Sequence, residues 1–200
     1  MFSSLVGETE RNIRETLAVV DKLEPSIVFM DEIEKALAGV QSSGKTDGGT
    51  GARVFSTFLQ WLNDHDSDSY VVATCNSIED LPPEFIRQER WDGIFFVDQP
   101  GYEEREKIWE LYKAKYELED KHPENVTGWT GAEIKSACRL AQLQGISLAD
   151  SVKLTIPLTV SAGDKIEQIR KKASGRCLSA ASGEIYQFEA PWERKTDQRI

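Results

Sequence analysis

The chain has 200 residues, 40% of them hydrophobic, which allows one ordinary domain with a hydrophobic core, or one domain plus a small appendage, and excludes a disordered chain. Its formal net charge of −10 would repel a polyanion, so nucleic acid is not expected as a partner. Three widely separated cysteines indicate reduced thiols, and no apolar run approaches the ~18 residues that span a bilayer, so we expect a cytoplasmic protein without a membrane partner.

The first half of the chain predicts helices alternating with short parallel strands. Residues 8–23 carry apolar side chains at helical spacing, and Pro25 ends the pattern. Residues 26–30 (SIVFM) and 70–74 (YVVAT) read as strands buried on both faces, and residues 94–97 (IFFV) as a third strand. A helix is expected over residues 54–62, between the first two strands. This order is typical of an α/β fold.

Beyond Pro100 the strand signals fade and helical patterns take over. Helices are predicted over residues 102–116, from residue 131 onward and around residues 165–172, and a hairpin-like tail over residues 177–188. Thr130 and Glu133 have the spacing of a capping box at the start of the second of these helices. We therefore expect an α/β subdomain over residues 1–100, a helical subdomain over 101–176 and a tail over 177–200.

Polar side chains follow the first two predicted strands. Asp31 and Glu32 end the first strand and Asn76 follows the second, at the sheet edge where ligands bind in open α/β folds. A magnesium nucleotide would explain the two acids: Asp31 can hold the metal's water shell, and Glu32 can polarise an attacking water. Asn76 can orient that water without adding charge. The competing interpretation is a strand end that meets solvent, with Asn76 as a turn former.

Arg87 and Arg90 lie about one helical turn apart after the segment LPPEF. Guanidinium groups are always charged and suit the stabilisation of charge in phosphoryl transfer. Taken alone, this pair is equally typical of surface ion pairs. The assignment therefore depends on the order of the motifs along the chain.

That order resembles the AAA branch of the AAA+ ATPases. Between Ser3 and about Ala141 the chain contains, in succession, LVGETERNIR, IVFMDEIEKA, VVATCNS, LPPEFIRQERWDGIFFVDQP and GWTGAEIKSACRLA. The loop after Ala38 and the helix RVFSTFLQWL are most similar to the AAA ATPases of cyanobacterial and chloroplast genomes. The resemblance implies the C-terminal part of a parallel-sheet nucleotide-binding domain followed by a small helical lid.

By this resemblance the site residues fall into four groups. They are the Walker B acids Asp31 and Glu32, the first sensor Asn76, the arginine fingers Arg87 and Arg90 that reach the neighbouring subunit's nucleotide, and Gly131 with Ala132 near the adenine. The implied cofactors are ATP and Mg²⁺, with Asp31 holding the metal through water. The implied assembly is a ring homo-oligomer, hexameric when complete, that remodels a protein partner. Residues 4–7 match the first pore loop, with Leu5 in place of the usual aromatic residue.

The segment GVQSSGKT, residues 39–46, matches the letter pattern of a phosphate loop. A working loop follows a strand and opens a helix, whereas Gly39 follows the helical IEKALA and Thr46 precedes Asp-Gly-Gly. We interpret the match as accidental and Lys45 as a loop residue. The resemblance places the phosphate loop before Met1, so we expect a fragment whose IFFV strand has lost its neighbour. The alternative is a non-catalytic protein that binds partners or regulates rings of an intact homologue.

Overall fold

Two structural units divide the chain, Met1–Gly93 and Ile94–Ile200. The computed structural model describes residues 2–35, 50–64, 66–87, 90–123 and 126–188, including their side chains except those of residues 2–9 and 50–52. The division falls before the boundary expected at residue 100, because residues of the predicted third strand pair within the second unit. In the described part of the chain, no helix combines the length and the apolar character needed to cross a membrane.

The first unit alternates helices with parallel strands. Its elements are α1 (Phe2–Lys22), β1 (Ile27–Met30), α2 (Thr50–Asp64), β2 (Tyr70–Ala73) and a 3-10 turn (Ile78–Asp80). β1 and β2 pair in parallel, from Ile27 opposite Tyr70 to Met30 opposite Ala73, which confirms the predicted parallel α/β arrangement. α1 is longer than predicted and takes in residues 4–7, so their backbone is helical where the resemblance implied a pore loop.

The core of the first unit lies between one face of this sheet and the helices. α2 buries Phe55, Phe58 and Leu62, because these residues recur on one face of the helix. The ring of Phe85 lies 6.1 Å from the rings of both phenylalanines. Side chains of the sheet pack against this cluster, among them Met30, Val71 and Ala73.

The opposite face of the sheet corrects one expectation. Ile27, Phe29 and Tyr70 are 75%, 63% and 60% exposed, so the strands are not buried on both faces as their apolar runs predicted. The runs were misleading because continuous apolar composition does not show which elements are available to cover each face. In the described residues, the helices of this unit contribute their core side chains to the other face alone.

The second unit contains the expected helices and two further strands. These are β3 (Phe95–Phe96), α3 (Tyr102–Tyr116), α4 (Gly131–Gln144), α5 (Leu148–Lys153), α6 (Leu158–Ala173) and β4 (Leu178–Ser179). Its hydrophobic core contains the buried residues Trp109, Trp129, Ile134 and Leu148. The Trp109 ring lies parallel to the His122 ring at 5.3 Å. This helical body corresponds to the predicted lid.

Glu133 connects the starts of two helices in this unit. Its Oε2 accepts a hydrogen bond from the Thr130 backbone N–H at 2.5 Å, as predicted for a capping box. Its Oε1 accepts from the backbone N–H of Leu158, the first residue of α6. One buried carboxylate therefore satisfies backbone donors at the N-terminal ends of α4 and α6, where a negative charge also complements the helix dipoles.

The predicted isolation of the IFFV strand is wrong. β3 pairs in parallel with β4, Phe95 opposite Leu178 and Phe96 opposite Ser179. The tail supplies this partner and then turns back, with Leu178 bridging Ile185 in antiparallel fashion, as expected of a hairpin-like tail. The sequence could not indicate the pairing, because two-residue strands give too short a pattern to predict a partner.

A polar cluster after β3 joins this sheet to α6 and the tail. Asp98 accepts from the Arg170 guanidinium, with Nε 2.8 Å from Oδ1 and 3.0 Å from Oδ2, and from the Tyr186 hydroxyl at 2.9 Å. Gln99 Oε1 accepts from Arg170 as well, at 3.1 Å. Bidentate hydrogen bonds between a guanidinium and a carboxylate are stronger and more specific than hydrogen bonds between neutral groups. This cluster therefore fixes the tail against α6 and β3.

Candidate active site

The candidate active site is built at one edge of the β1–β2 sheet. Asp31 and Glu32 directly follow β1, and Thr74 and Asn76 follow β2. Because the strands are parallel and adjacent, their carboxyl ends meet at the same edge. The structure thus brings together the two acids and the amide that were selected from the sequence.

Thr74 organises the start of the acidic segment. Its hydroxyl donates to Asp31 Oδ1 at 2.5 Å and accepts from the Glu32 backbone N–H at 3.1 Å. Its carbonyl accepts from the Ile33 backbone N–H at 3.0 Å. The sequence analysis missed this residue. A usable signal existed, since Thr74 is a hydroxyl residue at the carboxyl end of the neighbouring strand, two residues before Asn76.

Glu32 is held on both carboxylate oxygens. Lys35 Nζ lies 2.5 Å from Oε2, and Asn76 Nδ2 donates to Oε1 at 3.1 Å. The hydrogen bond from Lys35, followed by that from Asn76, holds the pKa of Glu32 below its ordinary value. The backbone of Glu32 is in the left-handed region at φ 51°, which is uncommon for residues other than glycine and occurs often at functional sites. Glu32 is thus an ionised carboxylate in a fixed position.

Glu34 is a second residue that the sequence analysis missed. It is 7% exposed, and its Oε1 accepts from both the backbone N–H and the side-chain amide of Asn76, at 3.2 and 3.0 Å. Its Oε2 is buried and has no hydrogen-bond partner in the described residues. Its signal in the sequence was the third acid of the DEIE segment, two residues after Glu32.

Arg87 and Arg90 make no hydrogen bond to the acids or the amide at this sheet edge in the described residues. Arg87 is exposed, whereas Arg90 Nε donates to Asn63 Oδ1 at 3.1 Å and its Nη1 donates to the Glu84 carbonyl. Within the described part of the chain, neither arginine bonds to Asp31, Glu32 or Asn76. Their assignment as arginine fingers stays a prediction.

Gly131 and Ala132 belong to the second unit, where they begin α4. A side chain on Gly131 would lie 3.8 Å from two carbon atoms of Ile108, so α3 and α4 approach closely at this point. Ala132 lines an open groove of about 590 Å³ along α4 and the segment after α5. Their predicted place near an adenine is untested by this geometry.

The metal prediction for Asp31 concerns binding through water. No group of three His, Cys, Asp or Glu side chains is placed to hold an ion in the described residues. Mg²⁺ often keeps several waters and is bound by one or two carboxylates together with phosphates, and the Thr74 bond occupies only Oδ1 of Asp31. Asp31 therefore fits a role in a water-mediated site.

The segment GVQSSGKT with Lys45 lies outside the described residues.

Comparisons with known proteins identify the family that this chain resembles. Residues 1–99 match the model of the ATPase family associated with various cellular activities (AAA). The chain is 35% identical to the AAA domain-containing protein ycf46 of Pyropia yezoensis over 198 residues, 90% of this chain and 40% of that protein. It is 28% identical to proteasome-activating nucleotidase 1 of Haloferax volcanii, over 84% of this chain and 43% of that protein. These matches confirm the resemblance to AAA ATPases of the chloroplast-encoded kind.

The fold is shared with a solved AAA domain. The crystal structure of the FIGL-1 AAA domain superimposes with a TM-score of 0.60 at 21% identity, covering 85% of this chain and 64% of that one. Its complex with ADP gives a TM-score of 0.59 over 86% of this chain and 66% of that one. The chain spans 29–40% of the length of the curated ycf46 relatives it matches.

Proposed function

Because the chain belongs, through residues 1–99, to the AAA family of ATPases, we propose that it supplies the metal-binding and water-activating part of an ATP hydrolysis site. In the hydrolysis, a water oxygen bonds to the γ-phosphorus while the bond from that phosphorus to ADP breaks, and ADP leaves with the bonding electrons. Asp31 would hold the water shell of Mg²⁺, and the ion would neutralise phosphate charge when bound. Glu32 accepts a proton from the attacking water, and Asn76 orients that water.

One observation carries this proposal. The Asn76 amide, which follows β2, donates to the Glu32 carboxylate, which follows β1, at 3.1 Å. This contact places a carboxylate and a neutral amide side by side at the sheet edge, where one water can contact both. A strand end that only meets solvent gives no reason for a charged base to be fixed by a neighbouring strand.

The assembly is a proposal drawn from the relatives. Arg87 and Arg90 are proposed to act on the nucleotide of a neighbouring subunit in a homo-oligomeric ring, hexameric when complete, that acts on a protein partner. The exposed position of Arg87 and the name of the proteasome-activating relative support this. Rings mixed from Arg87→Ala and Glu32→Gln chains should recover part of the activity that each variant has lost. Normal hydrolysis by the Arg87→Ala protein alone would contradict a role across the interface.

The decisive test is Glu32→Gln in the protein expressed from the longest in-frame reading frame that contains this chain. The amide keeps the shape of Glu32 but cannot take a proton, so hydrolysis should fall by roughly 10²–10⁴-fold. Binding of a fluorescent ATP analogue should persist. Glu15→Gln, at an exposed ion pair of α1, is the matched control and should retain the parent rate. Hydrolysis by Glu32→Gln within a factor of about two of the parent would overturn the assignment.

A further inference from the structure

Glu34 is the buried acid of the candidate active site, and burial makes its contacts informative. A buried carboxyl group needs hydrogen-bond partners in place of water. In the described residues, Glu34 receives its hydrogen bonds from Asn76 alone, through the backbone N–H and the side-chain amide. Its second oxygen is buried without a partner. The position of Glu34 therefore serves its contact with Asn76.

The two carboxylates together determine which way the Asn76 amide faces. Nδ2 lies 3.0 Å from Glu34 Oε1 and 3.1 Å from Glu32 Oε1, so each carboxylate takes one of its two hydrogens. Rotating the amide by half a turn would place its oxygen against two carboxylate oxygens and lose both bonds. The orientation is thus fixed by these two acceptor oxygens, with Oδ1 turned away from the acids as an acceptor.

We propose that Glu34 is a positioning residue that holds Asn76 so that it donates to Glu32 and presents its oxygen to the attacking water. The inference rests on the proposed function and specifies the direction of the hydrogen bond between Asn76 and the attacking water. With both amide hydrogens committed, Asn76 accepts a hydrogen bond from water and donates none to the γ-phosphate. In this role Glu34 acts through Asn76.

A structural test reads the Asn76 side-chain amide by ¹⁵N NMR, without nucleotide, in the chain of residues 1–200. Glu34→Ala should shift both amide proton signals and speed their exchange with solvent by roughly tenfold or more. Glu34→Gln keeps an acceptor oxygen and should leave the signals near their parent positions, and Glu15→Gln should leave them unchanged. Unaltered Asn76 signals in Glu34→Ala would overturn the proposal, as would equal changes in Glu34→Ala and Glu34→Gln.

A kinetic test uses the hydrolysing protein and separates kcat from KM. Glu34→Ala should lower kcat for ATP by about tenfold or more with KM nearly unchanged, and Glu34→Gln should restore most of the rate. The double variant with Asn76→Ala should be no slower than Asn76→Ala alone, because both changes remove one function. Effects that multiply would overturn the inference. A parent without ATPase activity would end the proposed function and the water-orienting role with it, while the NMR result still decides whether Glu34 holds Asn76.

Discussion

The Glu32 carboxylate and the Lys35 ammonium lie 2.5 Å apart and are both exposed, so their contact is best measured by titration. The hydrogen bond from Lys35 is the largest cause of the lowered pKa of Glu32, whose ordinary value is 4.5. Lys35→Met should therefore raise that pKa, and the remaining bond from Asn76 should keep it from rising fully. Carboxyl ¹³C shifts between about pH 2 and 6 measure it.

The sign of the pH effect follows from this direction. Because the folded pKa is depressed, the ion pair contributes fully above the ordinary pKa of Glu32 and is lost as the pH falls through the folded value. Lys22→Met, at an exposed lysine in the last turn of α1, is the control and should leave the Glu32 titration unchanged. An unchanged Glu32 pKa in Lys35→Met would show that Lys35 does not hold this carboxylate in solution.

The three thiols should differ sharply in reactivity. Cys75 is exposed, whereas Cys138 and Cys177 are buried. Burial raises the pKa of Cys138 to about 11 and raises that of Cys177 as well. Since the thiolate is the reacting form, alkylation at pH 8 should modify Cys75 at least about 100-fold faster than Cys138. Mass spectrometry of timed samples measures the rates, and Cys75→Ser should remove the fast phase. Rapid labelling of Cys138 in the native protein would contradict its buried position.

Single residues also show where the sequence was informative about the site. Asp31, Glu32 and Asn76 could be selected because each lies within three residues of the end of a strand with a clear apolar pattern. Thr74 and Glu34 had only weak signals in the sequence, because their roles depend on distances across two strands, which no pattern along one strand contains. Buried acids are also rare, so composition argued against assigning Glu34 to the interior.

At the scale of elements, Glu133 is the strongest test of the helical unit. It accepts from the backbone N–H groups of Thr130 and Leu158, so Glu133→Ala leaves two helix-terminal donors without their acceptor. The expected cost is about 2–4 kcal/mol, equivalent to roughly 30–1,000-fold faster amide exchange in α4 and α6. Hydrogen exchange with mass spectrometry resolves those helices.

Two further variants delimit this prediction. Glu133→Gln retains one acceptor oxygen, so it should lose less protection than Glu133→Ala. Asp164→Ala, placed in the interior of α6, should leave α4 at the parent exchange rate. If the amide exchange rates of α4 and α6 in Glu133→Ala equal those of the parent, packing alone holds the N-terminal ends of the two helices.

The elements themselves were largely predictable, and their partners were less so. The sequence located α3 and α4 well, because α4 presents an apolar stripe after a capping box and α3 begins directly after Gly101. The pairing of β3 with β4 could not be predicted, since it joins two-residue strands that carry almost no period. Burial of β1 was overestimated because its apolar run has the same appearance whether one or two faces are covered.

At the scale of the whole molecule, the exposed sheet face should drive self-association of the chain of residues 1–200. Ile27, Phe29 and Tyr70 form an apolar surface on β1 and β2, and such surfaces favour association. Sedimentation velocity should show a mass that grows with concentration, and the pair Ile27→Lys and Phe29→Lys should return the chain toward the monomer.

A matched control distinguishes association through this surface from nonspecific association. Val19, on α1, is 52% exposed and lies outside the sheet, so Val19→Lys should leave the association unchanged. Association that persists in the Ile27→Lys and Phe29→Lys protein would locate the interface elsewhere. A parent that stays monomeric at all concentrations would show that the face is tolerated in water.

The parallel pairing of β3 with β4 has a consequence during protein synthesis. Phe95 emerges from the ribosome well before its partner Leu178, about 80 residues later in the chain. At 5–20 residues per second, this interval lasts roughly 4–17 s. Throughout it the helices between the strands can form locally, while β3 has no partner strand. A ribosome that stops before residue 178 therefore releases a chain in which β3 lacks its partner strand.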